Sequence, residues 1–161
     1  SLVEGDLGHN LAAVSGSVEG AVDEWGGAFA IRQGLDVART GNYGILVEGV
    51  PERFQNIWYG DKGGFSCEPE TTYIVSVWVR GLSNFEGVTV SLMPRTESGE
   101  FAFGGSDISL GDDWRKIEHR FRTLSDQYLC QLMIAKGNTT KPTTFAVDDL
   151  EVYLVRKNNE S

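Results

Sequence analysis

The segment from Thr71 to Gly81, Thr-Thr-Tyr-Ile-Val-Ser-Val-Trp-Val-Arg-Gly, most constrains what this chain can fold into. Nearly every residue is β-branched or aromatic and no helix-forming run interrupts them, so the segment reads as an extended strand. Successive side chains of a strand point to opposite faces. Tyr73, Val75, Val77 and Val79 therefore share one face, and Ile74, Ser76, Trp78 and Arg80 share the other. The first set is a core face. The second mixes an indole, a hydroxyl and a guanidinium, which suits either the floor of a binding groove or one wall of a second buried layer.

The same period of two recurs along the chain. Val88, Val90 and Leu92 alternate with Thr89, Ser91 and Met93, and Tyr128, Cys130, Leu132 and Ile134 alternate with Leu129, Gln131 and Met133. Shorter extended runs are expected at Leu2–Leu7, Phe29–Ile31, Tyr43–Val47, Phe54–Tyr59, Phe101–Phe103, Ile108–Leu110 and Trp114–Phe121, and a long one at Phe145–Val155, interrupted by Asp148-Asp149. Turn signals separate them, among them Thr40-Gly41-Asn42, Ser98-Gly99, Gly111-Asp112-Asp113 and Gly137-Asn138. About ten short strands at this spacing, with no helical run, predict an all-β antiparallel sandwich or barrel. At 161 residues the chain is one domain, 1–161, able to bury a sizeable core.

A formal charge of −9 sets the surface against polyphosphate and anionic lipid, so neither nucleic acid nor a membrane is an expected partner. No apolar run approaches the length that crosses a bilayer, and Ser1 opens without a charged leader. The chain thus reads as an excised domain or a mature form. Cys67 and Cys130 are too far apart for a local metal knuckle; they are either small buried hydrophobes or one long-range disulfide.

A set of pieces occurs in order over nearly the whole chain: Leu2-Val3 before Gly5-Asp6-Leu7, the isolated Trp25-Gly26, Gly41-Asn42-Tyr43 and the pair Phe54-Gln55. They continue with Thr72-Tyr73-x-Val75-Ser76-x-Trp78-Val79-Arg80, then Asp113-Trp114-Arg115-Lys116 and Phe145-Ala146-Val147-Asp148-Asp149-Leu150. The ordered set resembles the β-sandwich (jelly-roll) carbohydrate-binding modules of families 4, 9 and 22. That resemblance implies a polysaccharide-binding cleft on one sheet, an attached glycoside hydrolase and an extracellular location, secreted or on the cell surface. It also implies a structural calcium. Leu7-Gly8 stands where many relatives carry Phe-Glu, so one calcium-binding carboxylate of the family is missing.

Sugar chemistry supports the same reading independently. A pyranose has flat C–H faces that stack on aromatic rings and hydroxyls that need fixed donors and acceptors. Trp25, Phe54, Gln55, Trp58, Trp78, Arg80 and Gln131 supply both kinds of group and are expected to line one concave face, with Phe85, Phe101 and Phe103 as the next aromatics. The net charge and the few basic residues on the inferred face, where only Arg80 with Arg53 or Arg95 could offset repulsion of a polyanion, favour a neutral β-linked glucan, xylan or mannan. Catalysis is not expected. His9 and His119 have no partner at metal spacing, no nucleophile elbow or phosphate loop occurs, and Gly99–Gly105 lacks the Lys-Ser/Thr ending. Asp6 and Asp148 are the candidate ligands for calcium, against a β-bulge carrying two solvated acids at Asp148-Asp149. The alternative is a protein-interaction or structural sandwich of a cell-surface or phage-tail protein, with the same fold and no sugar site.

Overall fold

A computed structural model describes residues 7–10, 25–27, 31–34, 38–40, 44–48, 55–59, 65–136 and 142–155. Within the strands 7–10, 25–27, 31–34 and 55–59, only Ile57 is described beyond its backbone. Among the described residues twelve strands follow one another: β1 (Leu7–Asn10), β2 (Trp25–Gly27), β3 (Ile31–Gly34), β4 (Gly44–Val47), β5 (Gln55–Tyr59) and β6 (Phe65–Ser66). Then come β7 (Thr72–Ser83), β8 (Thr89–Arg95), β9 (Ser106–Ser109), β10 (Arg115–Arg122), β11 (Leu129–Lys136) and β12 (Thr144–Val155).

They form two antiparallel sheets. The first runs β10-β7-β12-β4-β3, with β1 also on β12; the second runs β2-β5-β11-β8-β9, with β6 also on β11. The expected β-sandwich is thus the fold, with all but the first residue of the Thr71–Gly81 segment in β7, an inner strand of the first sheet between β10 and β12. Its pairing with β12 extends from Thr144↔Ser83 to Leu154↔Tyr73, the longest ladder in the molecule.

The core lies between the sheets and is made by alternation. Val75, Val77 and Val79 of β7, with Phe145, Val147 and Val152 of β12, face Val90 and Leu92 of β8 and Cys130, Leu132 and Ile134 of β11. Each such aliphatic side chain withdrawn from water contributes about 1.5–3 kcal/mol before the entropy of ordering is set against it. Tyr73 links an aromatic cluster, its ring edge-on to Phe65 and stacked on Phe121 at 6.1 Å, while its hydroxyl accepts the Glu68 N–H at 2.9 Å.

One local expectation fails, and another falls mostly outside the described residues. Phe101–Phe103 is not a strand: Gly99 (φ 92°) and Gly104 (φ 68°) hold left-handed backbone that L side chains rarely adopt, and the chain turns there instead. The first described strand is Leu7–Asn10, and residues 2–6 of the expected strand lie outside the described residues.

Lys136 ends β11 on the core side. The residue is fully buried, its Nζ has no hydrogen-bond partner among the described residues, and burial holds its amine below the usual lysine range. An unpaired buried amine costs stability that an apolar side chain of similar length would not. Lys136→Met is therefore expected to raise the thermal midpoint by several degrees, about 1–3 kcal/mol of added stability. A midpoint that stays level or falls in a melt followed by circular dichroism would show that the amine is paired.

Candidate functional site

Because inward side chains fill the core, a ligand can reach only the outward faces, and the two sheets offer very different ones. On the second sheet the outward positions of β11 are Gln131, Met133 and Ala135, alternating with the buried Cys130, Leu132 and Ile134. Antiparallel register sets them in rows. Position 58 of β5, Met133 and Met93 of β8 form the middle row, with Gly26 of β2 beyond position 58. Asn56, Ala135, Ser91 and Asp107 form the row on one side, and the Ser91 hydroxyl donates to Asp107 Oδ1 at 2.6 Å. Gln131 and Arg95 form the row on the other.

At that last row stands an aromatic ring. Phe101 is 53% exposed, and the Arg95 guanidinium lies over it at 5.1 Å from the ring centroid. Arg95 is held from below, its Nε donating to the Gly99 carbonyl at 3.0 Å. Any side chain at Gly99 would collide with that guanidinium, since an added Cβ would stand 2.0 Å from Arg95 Nη2. Met133 and Ala135 are only 6% and 8% exposed although they face away from the core, so the middle of this face is covered as well.

The first sheet's outward face is closed at its centre. Trp78 is half-buried, and the Arg39 guanidinium stacks on its ring at 3.6 Å from the centroid. Arg39 is fixed there by Asp149, Nη1 to Oδ2 at 2.8 Å, while Thr40 donates its hydroxyl to the same carboxylate. Asp148 lies directly across from Trp78 and is fully buried. Its Oδ2 accepts the Arg39 and Thr40 backbone N–H groups at 2.9 and 3.3 Å, and its Oδ1 accepts the Asp149 N–H at 2.8 Å. A bulge after Asp148, with Asp149 at φ 53°, turns both carboxylates toward the 38–40 segment. Burial pushes the Asp148 carboxyl up to about 6, against the three N–H donors that hold it down.

The expected cleft therefore divides. Gln131 belongs to the second sheet and, by register, so does position 58, whereas Trp78 and Arg80 stand on the first sheet and face the opposite side of the sandwich. Arg80 donates its Nε to the Asp112 carbonyl at 2.9 Å, as Arg95 does to Gly99, so it is its side of the sandwich that separates it from Gln131. Residue 25 lies in strand β2 beside Tyr59, not on a loop, and position 55 pairs with Lys136 in the phase of the buried Ile57, on the core side of β5. Phe54 and Asp6 lie outside the described residues. Met93, Met133 and the Ser91–Asp107 pair complete the outward face. Their signal was the alternation of β8 and β11, which the sequence carries without saying that the two strands are neighbours.

Asp148 does not suit calcium: its oxygens are turned to N–H donors, and a guanidinium stands on the neighbouring carboxylate where a second cation would be repelled. Among the described residues no group of three or more His, Cys, Asp or Glu side chains is arranged to hold a metal ion. A cleft of about 300 Å³ at one end of the sandwich is lined by Thr96, Glu97, Ser98, Glu100, Leu124, Asp126 and Gln127, and its buried amide and hydroxyl are already paired within their own loops. Cys67 and Cys130 are buried free thiols, and burial pushes Cys67 up to about 11 and Cys130 up as well, so neither is a ready nucleophile.

No protein-family model matches the chain, and no curated protein does. Solved structures of the same fold are numerous. A xylan-binding domain of carbohydrate-binding module family 22 superposes with a TM-score of 0.67 at 13% identity, covering 97% of this chain and 99% of that one. A family 16 carbohydrate-binding module gives 0.65 at 16% identity, covering 86% and 96%. The enzymatically active domain of tailspike protein 4 from bacteriophage CBA120 gives 0.64 at 13% identity, with 88% of this chain on 21% of that one. The fold these likenesses share is the jelly-roll β-sandwich. At such identities they speak to the fold and leave the ligand to the site.

The raised Asp148 carboxyl has a measurable consequence. Its proton is bound more tightly in the folded chain than in the unfolded one, so its contribution to stability is complete below about pH 4, the unfolded value, and is lost as pH rises through about 6. The thermal midpoint should therefore rise on going from pH 7 to pH 5, and Asp148→Asn should abolish that slope. A parent midpoint that falls steadily over the same interval would contradict the assignment.

Proposed function

We propose that this domain is a non-catalytic carbohydrate-binding module that holds one polysaccharide chain along the outward face of the second sheet. The observation that carries the reading is the end of that face: an exposed Phe101 ring under the Arg95 guanidinium, in the row of Gln131. A sugar ring meets there an aromatic face for its C–H groups and an amide and a guanidinium for its hydroxyls. Met93 extends the apolar strip along the row of position 58, where the sequence places a tryptophan as the second stacking ring, with the buried Met133 between them. The site residues of this reading are Trp58, Phe101, Arg95 and Gln131; Trp78 and Arg80 leave the set because they face the other side.

With a net charge of −9, the preferred ligand is a neutral β-linked glucan, xylan or mannan. Binding without chemistry is useful through proximity: an attached glycoside hydrolase kept on its polymer outside the cell works at a raised local substrate concentration. A structural module of a phage-tail protein is the second reading, favoured by the tailspike likeness alone.

Affinity-gel electrophoresis against xylan, β-glucan and mannan tests the proposal. The parent domain should be retarded by at least one of them, Trp58→Ala and Phe101→Ala should each weaken binding by about 1–3 kcal/mol, and Arg80→Ala should bind as the parent does. Retardation by none of the polymers would favour the structural reading, and hydrolysis by the pure domain would make it an enzyme.

A further inference from the structure

The Phe101 ring sits on a turn, and a ring on a turn can stack on a ligand only if the turn is held. Residues 99–105 connect β8 to β9 with few backbone ladder bonds of their own; Thr96 N–H to the Glu100 carbonyl at 2.9 Å and Gly99 N–H to the Thr96 carbonyl at 2.9 Å secure only the first part. The second part is held from the other sheet. His119 of β10 reaches it with both ring nitrogens, Nε2 to the Phe103 carbonyl at 2.8 Å and Nδ1 to the Ser106 hydroxyl at 2.9 Å.

The chemistry of the partners fixes the arrangement. A carbonyl oxygen only accepts, so Nε2 carries the hydrogen; in the neutral ring Nδ1 then accepts from the Ser106 O–H. The imidazole lies parallel to Phe121, 12° between planes and 6.4 Å between centroids, and Phe103 packs on that same Phe121 ring at 5.1 Å. Gly105 closes the base of the turn, since an added Cβ would stand 2.5 Å from Met93 Cγ and 3.0 Å from the Leu92 carbonyl. A histidine on a core-facing phase of β10 breaks the apolar pattern of Ile117 and Phe121, and the two hydrogen bonds give it a reason to be there.

The geometry points to His119 as the positioning residue of the ligand face: from the edge of the first sheet it clamps the 101–105 turn and so presents the Phe101 ring beside Arg95 and Gln131 on the second. Its side chain touches no ligand and acts through the Phe103 carbonyl and Ser106. The inference rests on the carbohydrate-binding reading for its consequence and on the hydrogen bonds alone for the clamp.

Hydrogen–deuterium exchange and affinity-gel electrophoresis, run on the parent, His119→Phe, His119→Gln and Ser106→Ala, test both halves. His119→Phe keeps a flat ring on Phe121 and removes both hydrogen bonds. It should raise exchange of the β9 amides at Ser106–Ser109, whose ladder with β8 begins where His119 holds the turn, by roughly tenfold while β7 and β11 stay protected. It should also lower affinity for the retaining polysaccharide roughly two- to tenfold, as loss of a single aromatic contact would. Phe101→Ala combined with His119→Phe should bind no more weakly than Phe101→Ala alone. His119→Gln, which can still donate to the carbonyl, should recover part of both effects, and Ser106→Ala should show a smaller one if His119→Phe fails to fold.

Unchanged exchange in the variants overturns the clamp, whatever the binding result. Raised exchange with unchanged affinity overturns the positioning role and leaves the carbohydrate reading standing. If no polymer retards the parent, that reading fails by itself, and the exchange measurement still decides the clamp.

Discussion

The packing of two sheets face to face fixes almost everything else in this molecule. Once Val75, Val77 and Val79 commit to the core from one side and Cys130, Leu132 and Ile134 from the other, every intervening side chain on β7 and β11 is sent outward. The two outward faces are then on opposite sides of the sandwich, separated by the core's full thickness, about 10 Å between sheets before the side chains are counted. No ligand smaller than the domain can use both. The question of function becomes which face is open.

Electrostatics answers it for the first sheet. Asp148 and Asp149 sit next to each other in the longest ladder, and a bulge with left-handed Asp149 lets both carboxylates meet the 38–40 segment. Arg39 spends its charge on Asp149 and its planar group on Trp78, and the indole is half-buried, whereas the Phe101 ring under Arg95 is 53% exposed. Arg80, bonded to the Asp112 carbonyl, is likewise part of the frame. On the second sheet the pattern differs: thioether side chains on the floor, hydrogen-bonding groups in the rows beside them, and an exposed ring at one end.

The period of two was legible from the sequence, and with it the fold class, the core phase of β7, β8 and β11, and the interruption at Asp148-Asp149. Membership of a sheet was not. Alternation says which side chains share a face of one strand; it says nothing of which distant strand lies alongside, because that is decided by long-range pairing and packing. Trp78 and Gln131 looked like companions for this reason. For Asp148-Asp149 the sequence offers a calcium ligand or a β-bulge with two solvated acids; the bulge is there, but it buries Asp148 beneath the N–H groups of residues 39 and 40. Phe101 and Phe103 looked like one strand face, whereas the glycines at 99 and 104 send the first ring to solvent and the second onto Phe121.

The central proposal is that a polysaccharide chain binds on the outward face of β11 and β8 and not on that of β7 and β12. Backbone amide chemical shifts followed during titration with a soluble oligosaccharide of the retaining polymer test it most directly. The account predicts shifts concentrated at Met93, Arg95, Phe101, Gln131 and Met133, with Trp78, Arg80 and Asp148 unmoved. Shifts centred on Trp78 and Arg80, with Gln131 and Met133 silent, would contradict it.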